Sequence, residues 1–160
     1  MPDTNQRKIL YVLTADCSAQ AFGMERAITK TGVSGDLILA YIHDPQHEEQ
    51  LREALSSGAF VGLKQIDDVT DAAWKSTETC GLNTLEEAKV KAEEAGISVT
   101  VESLHGSLVE QIMELTQRHG PDEIMICRPK SGVFGRLFQQ KLTKKLHRRL
   151  NLPIEEVSDN

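Results

Sequence analysis

Aromatic residues are scarce in this chain: one Trp, two Tyr and four Phe, 4% of 160 residues. Proteins that hold single-stranded nucleic acid stack bases on aromatic platforms. No base-reading module is recognisable either, so nucleic acid is not an expected partner. Cysteine is equally thin. Cys17, Cys80 and Cys127 are odd in number, unrelated in spacing and without a Cys-x-x-Cys pair, which excludes a disulfide framework and offers no zinc motif. Long apolar runs are missing too. Stretches such as "LILAYI" are too short to cross a bilayer, and "MPDTNQRK" has no apolar signal core. The expectation is a cytoplasmic protein with reduced thiols and no membrane contact.

Catalytic groupings are also lacking. His43, His47, His105, His119 and His147 are scattered, and none accompanies a Ser or Cys nucleophile and an acid in a known motif. His43 and His47 would share a metal only from one helix, which Pro45 between them opposes. His43 and Asp44 close a strand, and a polar strand end is the plainer meaning. No catalytic and no metal-binding residue is therefore expected; the chain does not read as an enzyme.

What is present reads as one soluble domain over residues 1–160, with 39% hydrophobic and 26% charged residues. The formal net charge is -6, yet charge is unevenly shared. Of 18 Lys and Arg, eight fall between residues 128 and 149, where no acid occurs. A block of one sign faces water, phosphate or an acidic partner.

Along the chain, "KILYVLTA" is the near-continuous apolar run of a strand covered on both faces. A helix follows, with Ala21, Met24, Ala27 and Ile28 on one face and Gly32 at its stop. "DLILAYIHD" is a second strand. A variable helical connection then runs over about 45–82, in which "QHEEQLREALSS" and "QIDDVTDAAWKS" read as helices separated by "GAFVG". "NTLEEAKVKAEEAG" reads as a separate helix with an Asn or Thr cap and Gly96 at its end. "ISVTVESLHG" is a third strand, and "SLVEQIMELTQRHG" a helix with Leu108, Ile112, Leu115 and His119 on one stripe. "DEIMIC" is a fourth strand, the basic segment a last helix, and "PIEEV" a short fifth strand.

Alternating strands and helices imply parallel pairing with right-handed crossovers, hence an α/β, doubly wound five-stranded sheet with helices on both faces. The common order is 3-2-1-4-5, and ligands sit at the carboxyl ends where that order reverses, between strands one and four. Asp16, Cys17, Cys127, Arg128 and Lys130 fall there.

The stretches "DCSAQAFGMERAI", "LEEAKVKAEEAGISVTVESLHGSLVEQIMELTQRHGPDEIMI" and "LPIEEV" resemble the universal stress protein family over about residues 7–44 and 83–157. The resemblance implies a non-enzymatic stress-response regulator. It also implies a nucleotide site in which glycines of a Gly-x-x-Gly loop and a following Gly-Ser let backbone N–H groups approach phosphate. Gly132 and Gly135 mimic that loop, but in that register the helix before Pro153 is too short. Anchoring on the end of strand four and on Pro153 puts Cys127 and Lys130 at the loop glycines, and Gln140 and Lys141 at the Gly-Ser pair. Bulk and positive charge thus replace bare backbone, as in the branch of the family without the glycine-rich loop. ATP or AMP binding is then atypical or absent, and no cofactor is expected. Asp16 resembles the family's nucleotide-contacting acid, Ile42 would offer backbone to the base, and Arg128 and Lys130 would meet phosphate.

Three further expectations concern assembly and redox. In the last helix Phe134, Phe138, Leu142, Leu146 and Leu150 form an apolar row, leaving Lys144, Lys145, Arg148 and Arg149 for water or an acidic protein partner. That partner is the alternative reading: an interaction module without nucleotide. Family members pair through the last strand, so a homodimer is expected, but Glu155 and Glu156 interrupt it. Either one of the two faces inward or the strand is short, and inward charge on an edge opposes pairing. Cys17 and Cys127 end neighbouring strands; a disulfide switch is conceivable there, with two small buried fillers as the plainer reading.

Overall fold

The first apolar run is a strand because it has two hydrophobic surfaces to bury. In the computed structural model β1 (Lys8–Leu13) is enclosed from Ile9 to Leu13. The structure describes residues 6–13, 20–45, 49, 63–128 and 144–158. β2 (Asp36–His43), β3 (Ser98–His105), β4 (Glu123–Arg128) and β5 (Ile154–Ser158) complete an all-parallel sheet of order β3-β2-β1-β4-β5. This is the expected doubly wound arrangement.

Side chains alternate across the sheet and build two cores. Ile9, Tyr11 and Leu13 of β1 join Leu37, Leu39 and Tyr41 of β2 beneath α1 (Gln20–Thr31) and α2 (Leu63–Glu94), which supply Met24, Ala27, Leu85, Ala88 and Ala92. On the other face Leu10, Val12, Ile38, Ala40 and Ile42 meet Leu108, Ile112 and Leu115 of α3 (Leu108–His119). Leu146, from the helical residues 144–149, is fully buried in the same cluster. Each such side chain contributes about 1.5–3 kcal/mol when enclosed. The sheet is therefore covered by helix on both faces.

Helix ends follow the glycines. Gly120 closes α3 at φ 60°, ψ 51°, its N–H donating to the Thr116 carbonyl at 2.9 Å, a left-handed geometry that costs glycine nothing. The start of α3 is held from a distance. Ser107 makes no side-chain cap, and the buried Asp44 at the end of β2 accepts the Leu108 N–H at 3.1 Å instead.

One expectation is corrected. Asn83 and Thr84 do not start a helix; they lie inside α2, a single helix of 32 residues that joins "QIDDVTDAAWKS" to "NTLEEAKVKAEE". Thr84 Oγ1 donates back to the Cys80 carbonyl at 2.9 Å, as a mid-helix threonine does. Gly81 is tolerated inside the helix because α2 presses there on Tyr41: a Cβ at Gly81 would lie 2.6 Å from Tyr41 Cε2.

The paired glutamates of β5 are also resolved. Glu155 shares its face with Val157 and points to the layer of α1, where Lys30 Nζ donates to it at 2.9 Å and Arg26 forms a second ion pair. Lys30 also donates to both oxygens of Glu123, at 3.0 and 3.2 Å. Glu156, on the opposite face, is half-buried. The inward charge is thus neutralised by α1.

Candidate functional site

Order reversal between β1 and β4 sets the crevice. β1 turns by way of α1 to β2 on one side, while β4 lies on its other side, with Val12 in register with Ile126. Leu13 ends β1; Arg128 ends β4, opposite Ser158 of β5. Residues 14–19 and 129–143 continue from these ends. Asp16, Cys17, Lys130, Gln140 and Lys141 lie outside the described residues, as do Gly132, Gly135 and all but Glu49 of "QHEEQLREALSS". Arg128 is placed by its backbone at the mouth of the crevice.

On the first-core side the crevice floor is closed. Gly23 of α1 comes so near the sheet that a Cβ there would stand 2.8 Å from Tyr11 Oη and 3.3 Å from Val157 Cβ. Cys127 is enclosed in the same cluster, with 1% of its surface exposed. Burial first, and the adjacent Cys127 second, push the Tyr11 phenol far above its ordinary value, so it stays neutral. Cys127 thus fits the reading of a small buried filler.

Ile42 is fully buried in the second core, and its backbone pairs with Leu104 of β3. Only backbone is left to meet a ligand at this position. Ile42 and Arg128 stand at the same end of the sheet, on strands that flank β1.

Beside them lies a pair that sequence reasoning missed. His43 and His105 end β2 and β3 in register, with ring centroids 4.7 Å apart at an interplanar angle of 31°. His43 is buried, whereas His105 is exposed and has Glu78 of α2 3.8 Å from its Nε2. The Gly106 N–H donates to the His43 carbonyl at 2.9 Å. The available signal was that both strands end on histidine. Among the described residues no group of three His, Cys, Asp or Glu is placed to hold a metal. A shallow groove of about 560 Å³ runs along α2, lined by Thr79, Cys80, Asn83 and Glu87.

The basic helix presents Lys144, Lys145, Arg148 and Arg149 to solvent around the buried Leu146. Arg149 Nη1 reaches Met113 Sδ of α3 at 3.6 Å. No helix among the described residues is long and apolar enough to cross a membrane.

No protein-family model and no curated protein matches the chain at the level of sequence. Solved structures match along its whole length. The hypothetical protein MJ0577 superposes with a TM-score of 0.66 at 15% identity, over 98% of this chain and 99% of that one. The universal stress protein UspA from Lactobacillus plantarum gives 0.62 at 12%, over 95% of this chain and 97% of that one. The chain has the universal stress protein fold. A third structure of that fold, from Arabidopsis thaliana with AMP bound, gives 0.54 at 14% over 96% and 92% of the two chains. At these identities the likeness is one of fold, and it agrees with the resemblance read from the sequence.

Proposed function

We propose that the chain is a non-enzymatic, cytoplasmic stress-response regulator whose ligand is an anion held at the carboxyl ends of β1 and β4. The observation that carries this reading is the reversal of strand order between those strands, the place where open α/β sheets take ligands. The AMP-bound Arabidopsis structure of the same fold supports a nucleotide as the ligand class. Asp16 would hold ribose or base and Ile42 would present backbone. Arg128 and Lys130, with Gln140 and Lys141 in place of the Gly-Ser pair, would meet phosphate through side chains. ATP binding on this reading is atypical or absent.

Calorimetric titration of ATP, ADP and AMP into nucleotide-free protein tests it, repeated with Lys130→Ala. Micromolar binding that weakens about tenfold or more in the variant supports side-chain recognition of phosphate. Silence up to about millimolar, roughly 4 kcal/mol of affinity, sinks the nucleotide reading.

The second reading is an interaction module without nucleotide, whose basic helix docks an acidic protein partner. Exposure of Lys144, Lys145, Arg148 and Arg149 around the buried Leu146 favours it. Under either reading the working form is proposed to be a homodimer.

A further inference from the structure

α2 outruns the sheet that it covers. Gly81 stands against Tyr41 of β2, and Glu78, about one turn earlier, against His105 at the end of β3. The helix begins at Leu63, so its first turns, roughly 22 Å at about 1.5 Å per residue, run on past the carboxyl ends of these strands. It leaves the sheet at a cluster of titratable side chains. His43 and His105 end β2 and β3 in register, with ring centroids 4.7 Å apart and planes tilted by 31°. Glu78 Oε1 of α2 lies 3.8 Å from His105 Nε2.

The two rings differ in surroundings. His43 is buried, whereas the His105 side chain is 63% exposed and that of Glu78 28%. Among the described residues Glu78 is the charged group that α2 brings to the pair; Lys75, about a turn further out, lines the groove on that helix. On the sheet, Tyr41 and Ser103 lie beneath the rings on the same face. Asp44 turns to the opposite face, where it accepts the Leu108 N–H of α3. One carboxylate thus meets two imidazoles. A first proton on the exposed ring makes an ion pair with Glu78 and leaves the stack intact. A second sets two cations 4.7 Å apart, one of them on a buried ring, and Glu78 neutralises only one of the two.

We infer that His43, His105 and Glu78 form a pH-sensitive clasp between α2 and the ends of β2 and β3, which tightens as the pair of rings takes its first proton and opens as it takes the second. The protons belong to the pair, because the rings are close enough to titrate together. Histidine is the side chain whose ordinary range, near about 6.5, spans neutrality and mild acid. The outer turns of α2 are therefore held most firmly between the two steps. Ile42 immediately precedes His43, so opening also loosens the strand end that borders the crevice.

Amide exchange of the full chain from about pH 8 to about pH 5, corrected for the intrinsic pH dependence of exchange, tests the clasp. Protection of Leu63–Glu78 is expected to rise and then fall, each by about tenfold, while that of Leu85–Glu94 stays level. Glu78→Gln should remove the rise. His43→Phe keeps a stacked ring that takes no second proton, and should remove the fall. His105→Phe, at the exposed position, should remove both, and it decides the matter should the His43 variant not fold. A helix that merely packs against the strand ends gives a flat profile in every variant. A flat or single-limbed profile in the wild type, or a fall that survives in His43→Phe or His105→Phe, overturns the clasp.

Discussion

At Lys30 and Glu155, two half-exposed charges gain from being held together. Hydrogen bonding to Glu155 first, and to Glu123 second, raises the Lys30 ammonium above its ordinary value of 10.5. Burial pushes Glu155 up, but the hydrogen bonds from Lys30 and Arg26 outweigh it and hold the carboxyl below 4.5. The signs differ. The Lys30 contribution is complete below pH 10.5 and lost above it; that of Glu155 is complete above pH 4.5 and lost below it. Tyr11, raised by burial, adds a second loss above its ordinary 10.0. Urea unfolding across pH should show a plateau that falls on both sides, with the alkaline limb the steeper. Lys30→Met leaves Glu123 and Glu155 without their shared cation. It should cost about 1.5–3 kcal/mol near neutral pH and shrink the acid limb; an unchanged midpoint would remove the network from the account. Gly81 gives a prediction opposite to helix propensity. Alanine inside a helix is worth about 1 kcal/mol over glycine, but here its Cβ would meet the Tyr41 ring at 2.6 Å, and overpacking costs about 1–3 kcal/mol. Gly81→Ala should therefore lower the melting temperature, and Tyr41→Val should reverse the sign of that substitution.

Between elements, the best example is Asp44, which follows β2 and caps α3. Asp44→Ala leaves the Leu108 N–H without its acceptor and should cost about 1 kcal/mol, read as faster amide exchange in the first turn of α3. Exchange confined to other elements would deny Asp44 this role. The β2-to-α3 tie also shows what the residues alone could and could not disclose. The strands were legible because a sheet covered on both faces needs apolar runs such as Ile9–Leu13, and α3 because Leu108, Ile112 and Leu115 repeat at helical spacing. The continuity of α2 was not legible: Gly81, Asn83 and Thr84 suit a helix end as well as an interior, and the contact with Tyr41 decides between them. Nor was the His43–His105 stack, which depends on the register of two strands, or the neutral face of Glu155, which depends on a lysine 125 residues away. Each of these is a long-range pairing, which local pattern does not encode.

At the scale of the molecule, a net charge of -6 coexists with a helical segment that exposes Lys144, Lys145, Arg148 and Arg149. Packing alone does not require this. Leu146 anchors the helix and is fully buried, so Leu146→Ala should cost about 2–5 kcal/mol, whereas exposed lysines and arginines usually change stability by less than about 0.5 kcal/mol each. Reversing Lys144, Lys145, Arg148 and Arg149 to Glu should then leave the urea midpoint nearly unchanged, while abolishing capture of an acidic protein partner and sparing any nucleotide titration. The salt dependence of that capture is part of the expectation, since exposed charges are screened beyond about 8 Å at physiological ionic strength. If the reversed variant unfolds as Leu146→Ala does, the cations serve the fold and the docking reading fails. If it stays folded and loses nucleotide instead of partner, the basic helix contributes to the crevice, and the two functional readings merge into one site.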